Sequence, residues 1–147
     1  MKISIFSMLF LLFSAVACAG APINNLNDFE AQVTGCLSKL SNTSRCAENI
    51  LAKHIVPGSE AQLAPVAGQL DGFMEKWVDK QKIFAVHPIA TKKAGDIYRE
   101  KTYLLEDDMG NLMVFSYSVL RRLGKWYVFS FAINSNSDAV EAVLTGK

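Results

Sequence analysis

The apolar residues of this chain change their spacing once, at Ile83, and that change limits the fold more than any other feature. Before Ile83 they recur every three to four residues, the repeat of a helix with one buried face. After it they alternate, the repeat of a strand with one buried face. Chains that place helices first and strands afterwards build segregated α+β structures.

Three helices are predicted before the switch. The first runs from Asn27 to Leu40, with Phe29, Val33, Cys36, Leu37 and Leu40 on one side and Asn27 and Glu30 at capping-box spacing. The second covers Ser44 to Ile55, with Ala47, Ile50, Leu51, His54 and Ile55 at helical intervals. Val56-Pro57-Gly58 breaks the pattern. The third begins at Ser59 or Ala64 and ends at Lys80, with a stripe of Leu63, Val66, Ala67, Leu70, Phe73, Met74 and Trp77. Pro65 fits only near its start.

Four strands are predicted after the switch, at Ile83–Thr91, Asp96–Leu105, Leu112–Leu120 and Trp126–Ile133. Their glycine-containing connections are short enough for antiparallel hairpins. A brief helix from Ser137 to Leu144 closes the chain. The expectation is therefore an α+β fold of N-terminal helices packed on a curved four-stranded antiparallel sheet. Alternation puts Met113, Phe115, Tyr117 and Val119 on one face, together with Tyr127, Phe129, Phe131 and Ile133. Such an aromatic face needs a cover, and the third helix is the expected one. The opposite face carries Leu112, Val114, Ser116, Ser118, Leu120, Trp126, Val128, Ser130 and Ala132. With small hydroxyls at its middle, this face is expected to be a second buried face, a shallow pocket or a partner surface, and Tyr98 and His87 are added to Ser116, Ser118 and Ser130 as its candidate residues.

The first 19 residues read as an export signal: a basic start at Lys2, an apolar run from Ile5 to Phe13, then small residues. Two cuts fit, after Ala17 and after Ala19. The segment also resembles the bacterial lipoprotein signal, with Ala17 before Cys18, although Ala15 stands where leucine is usual. On that reading Cys18 carries a lipid anchor, the only membrane contact expected. Residues 20–147 are then a single α+β domain. Of 15 basic and 14 acidic side chains one basic residue, Lys2, lies in the leader, so the remainder balances. A balanced chain offers no broad positive field for nucleic acid.

Export also bears on the cysteines. With Cys18 in the leader, Cys36 and Cys46 remain, and an oxidising destination favours a disulfide between them. His54 and His87 lack ligand spacing to them, so neither a metal nor any other cofactor is expected.

The order of elements from Asn27 to Ile133 resembles the cone-shaped α+β fold of the nuclear transport factor 2-like superfamily. The closing Gly124-Lys125-Trp126-Tyr127-Val128-Phe129-Ser130-Phe131-Ala132-Ile133 also looks like the last strand of such domains. Members include isomerases, dehydratases and non-catalytic binding modules. Catalytic members place an acid or base beside a tyrosine donor in a pocket, which makes His87, Asp96, Tyr98, Tyr103 and Tyr117 the residues to inspect. None matches a catalytic pattern residue by residue. The expected function is an exported non-catalytic binding or accessory module for a protein or small ligand. The alternatives are a small cofactor-free isomerase or hydratase, or a secreted factor acting on host cells.

Overall fold

A computed structural model describes residues 20–146. The leader, its two cut sites and Cys18 lie outside the described residues. The elements run α1 (Leu26–Leu37), a π-helical turn (Ala47–Leu51), a 3-10 turn (Ala52–His54), α2 (Glu60–Val78), β1 (Ile83–Ala94), β2 (Tyr98–Asp107), β3 (Leu112–Arg122), β4 (Lys125–Asn134) and α3 (Ser137–Thr145). The strands form one antiparallel meander in the order β1-β2-β3-β4. The fold is thus the expected α+β arrangement.

Helix α1 starts one residue earlier than expected and is capped by a different asparagine. The side chain of Asn25 accepts hydrogen bonds from the N–H groups of Asn27 and Asp28, at 2.9 and 3.4 Å. Glu30 is thereby released from capping and reaches the sheet. The helix ends at Leu37, and Leu40 is buried in the turn that follows.

The predicted second helix is absent as an α-helix. Its N-terminal N–H groups, on Ala47 and Glu48, donate to the two carboxylate oxygens of Asp71 on α2, each at 2.8 Å. At its other end Val56 N–H donates to the carbonyl of Val128, and Ile55 bridges β4 in parallel. Tied at both ends to other elements, the segment winds as one π turn and one 3-10 turn instead of a regular α-helix. Cys36 and Cys46 are joined by a disulfide across the intervening loop, with Cα atoms 5.8 Å apart.

The principal core lies on one face of the sheet. Phe29, Val33 and Leu37 of α1 and Leu70, Met74 and Val78 of α2 pack on Tyr103, Leu105, Met113, Phe115 and Tyr117. The cover is therefore shared by α1 and α2 rather than supplied by the third predicted helix alone. Val66 and Phe73, placed by spacing in the apolar stripe of α2, are exposed, whereas the charged Asp71 is fully buried. On the other face α3 covers one end, where Val140 packs with Leu104 and Val114.

Strand β4 departs from plain alternation. Ser118 pairs with Ser130 but Val119 pairs with Val128, so Phe129 is an extra residue in the ladder. Such a bulge flips the sidedness of everything beyond it. Val128 is 0 % exposed and Trp126 joins the core, while Phe129 is 46 % exposed and Tyr127 leaves the aromatic face. Sequence alternation had assigned these four residues the other way round. Val128→Ala is expected to cost about 2 kcal/mol in chemical denaturation, and Phe129→Ala less than about 1 kcal/mol. The reverse ranking would restore unbroken alternation.

The β3–β4 connection is tighter than the sequence suggests. Arg122 pairs with Lys125, leaving a two-residue loop of Leu123 and Gly124. Both have positive φ, 49° and 79°, the conformation that suits the twist of a hairpin.

Candidate functional site

One end of the helix-covered face turns from apolar to charged. Side chains two apart along β2 share this face, so Leu105 and Tyr103 are followed by Lys101 and Arg99. The register brings neighbours alongside them. Lys101 pairs with Thr91 on β1 and Tyr117 on β3, and Arg99 pairs with Lys93 and Val119. The N-terminal half of α1 lies across these residues through Leu26, Asn27 and Glu30. Together the helix and strands enclose a cavity of about 360 Å³, within the range of small-molecule sites, about 300–1,000 Å³.

Glu30 organises one wall. Its Oε1 accepts from Lys101 Nζ at 2.8 Å and from the hydroxyl of Tyr103 at 3.1 Å. Tyr117 forms the floor and is only 3 % exposed. Its ring stacks on Tyr103, with centroids 6.3 Å apart, and takes the edge of Phe29 at 5.6 Å. Burial pushes the Tyr117 hydroxyl up to about 12, with the nearby hydroxyl of Tyr103 acting against the shift and Glu30 with it. Burial drives Tyr103 up further, aided by Tyr117 and Glu30. Both hydroxyls therefore stay protonated at neutral pH and can act as hydrogen-bond donors. At the rim, the Arg99 guanidinium lies 5.3 Å from the centre of the Trp126 ring. The cavity thus holds three cations, one carboxylate and a neutral phenol.

Of the five residues inspected for catalysis, the structure brings Tyr103 and Tyr117 to this site. The other three lie elsewhere. His87 is exposed on β1 with its Nε2 3.1 Å from Glu106. Asp96 sits in the β1–β2 turn, 3.4 Å from Arg121. Tyr98 donates to Glu100 at 2.8 Å. Burial, then the bond to Glu100, raises the pKa of Tyr98.

The serines form a separate set on the opposite face. Ser118 and Ser130 share a 2.7 Å hydrogen bond, with Ser118 buried and Ser130 exposed. Ser116 is half-buried on the same face. His54, predicted on an apolar helix face, lies edge-on to Phe29 and bonds the carbonyl of Ala21 at 2.7 Å. Among the described residues, no three His, Cys, Asp or Glu side chains are grouped to hold a metal ion.

The sequence reading missed Glu30, Lys93, Arg99 and Lys101 as site residues. Glu30 had been assigned to capping and Lys93 to a turn. The available signal was the alternation of Arg99, Lys101 and Tyr103 on one strand face, which sets charge beside a core aromatic.

No protein-family model matches the chain, and no curated protein matches it. Among solved structures, it is similar to the crystal structure of a DUF4783 family protein from Bacteroides ovatus. The two are 12% identical, the match covers 73% of this chain and 94% of that one, and the TM-score is 0.44.

Proposed function

We propose that this chain is an exported, non-catalytic binding module that holds a small ligand in the cavity between α1 and the sheet. The observation that carries this reading is the cavity itself. It has a buried tyrosine floor, a charged wall and apolar sides formed by Leu26 and Val119. Charged and polar side chains make up most of the lining and Leu26 and Val119 its apolar part, a composition that suits a small polar ligand.

Two observations favour binding over catalysis. The Glu30 carboxylate is already engaged through Oε1 by Lys101 and Tyr103, which leaves it poorly suited to take a proton from a substrate. His87 and Asp96 do not line the cavity. The Cys36–Cys46 disulfide supports export, since such bonds persist in oxidising compartments.

A thermal-shift screen of small molecules tests the reading. Thr91→Trp projects a large ring into the cavity from its exposed rim. Compounds that stabilise the wild-type protein should fail to stabilise this variant, provided it melts normally by itself. Hits that stabilise both proteins equally would move the ligand elsewhere.

A further inference from the structure

We infer that the ligand of this cavity is a small organic anion, a carboxylate or phosphate on an apolar body, held by Lys93 and Arg99. The inference rests on the cavity being the binding site and adds the chemistry of what enters it. Lys93 and Arg99 are direct partners across the β1–β2 ladder and line the same cavity. Like charges set opposite each other on adjacent strands repel. Neither has a carboxylate partner among the described residues, because the one acid lining the cavity, Glu30, is bound to Lys101. The contrast with the next residue is sharp. Lys92, whose strand partner is Glu100, is paired with it at 3.4 Å on the opposite face.

The cavity side of the ladder therefore keeps an uncompensated pair of cations beside the neutral donor Tyr117. An anionic group seated between Lys93 and Arg99 would relieve their repulsion and form charge-assisted hydrogen bonds. Arg99 is held over Trp126, so part of the ordering needed for binding is already in place. Leu26 and Val119 would then contact the rest of the ligand, which accordingly has an apolar body rather than being a free inorganic ion.

Calorimetric titration at low salt with three probes, 2-naphthoate, phenyl phosphate and the neutral 2-naphthamide, tests the inference on the protein spanning residues 20–147 and on its Lys93→Gln/Arg99→Gln variant. At least one anion should bind tenfold or more tightly than the amide. The variant should lose that preference while melting within a few degrees of the wild type, and added salt should weaken the anion alone. Comparison of the two anions tells a carboxylate ligand from a phosphate. Equal binding of amide and anions, or an anion preference that survives in the variant, overturns the inference about charge and leaves the cavity as the binding site. Binding of none of the three probes overturns both.

Discussion

Replacing Asp71 by alanine is expected to destabilise the protein by about 3 kcal/mol, measured by chemical denaturation. Asp71 is fully buried on α2, yet its two oxygens accept the N–H groups of Ala47 and Glu48. These groups open the π turn, whose preceding residue makes no side-chain capping bond of its own. Alanine leaves both donors without an acceptor, one of them in a buried setting. Asp71→Asn keeps a single acceptor and turns an N–H toward the second donor, so about 2 kcal/mol is expected for it. A loss below about 1 kcal/mol for alanine would mean that water replaces the carboxylate freely.

Asp71 also sets a pH dependence of unusual sign. Burial, the largest influence, raises the pKa of its carboxyl above the ordinary carboxylate value, and the two N–H bonds only partly oppose this. The folded state therefore binds the proton more tightly than the unfolded state does. The contribution is fully present below the unfolded pKa, about 3.9, and is lost as pH rises through the raised folded value. The stability gap between wild type and Asp71→Asn should widen as pH falls through that window. A gap that narrows toward acid would show the hydrogen bonds outweighing burial.

Removing the disulfide is the second large effect. Cys36→Ala/Cys46→Ala should cost about 2–3 kcal/mol, from the chain entropy released when a loop of this length is opened. For a chain of this size that corresponds to a fall in Tm of about 10 °C. Non-reducing peptide mapping of protein produced in an oxidising compartment should show Cys36 joined to Cys46, and two free thiols there would refute the pairing. The bond ends one residue before Ala47, so it fixes the donors that Asp71 receives. The two perturbations act on one short segment and should not add. Asp71→Ala should cost less in the protein lacking the disulfide than in the intact one. Strict additivity would mean that the loop and the π turn are positioned independently.

Much of this was legible in the sequence for one reason: burial on one face leaves a period that can be read locally. The helix–sheet switch at Ile83 and the four hairpin-linked strands follow from neighbours in the chain, and the cysteine pairing follows from the leader and the two cysteines left after it. The site was legible only in fragments. Tyr103 and Tyr117 were among the residues singled out because the superfamily resemblance implies a tyrosine donor in a pocket, together with His87, Asp96 and Tyr98, which lie elsewhere. Glu30 was not, because its local spacing suited a helix cap and its true partners, Lys101 and Tyr103, lie 71 and 73 residues away.

The sequence by itself therefore determined the order, type and sidedness of most elements. It also determined which two cysteines would pair, given an oxidising destination. The tertiary structure alone decided three things. A bulge at Phe129 exchanged the faces of Trp126 and Val128 with those of Tyr127 and Phe129, because an extra residue in the ladder depends on how β4 meets β3. The demand of Asp71, 24 residues from Ala47, and the pairing of Ile55 with β4 reshaped a helix-like repeat into a π turn and a 3-10 turn. The register of β1 on β2 set Lys93 opposite Arg99, beneath a helix that delivers one carboxylate, to Lys101, and leaves those two cations without a carboxylate partner among the described residues. Periodicity records what is buried, but it does not record which distant group will face a charge, and at this cavity that pairing sets the chemistry.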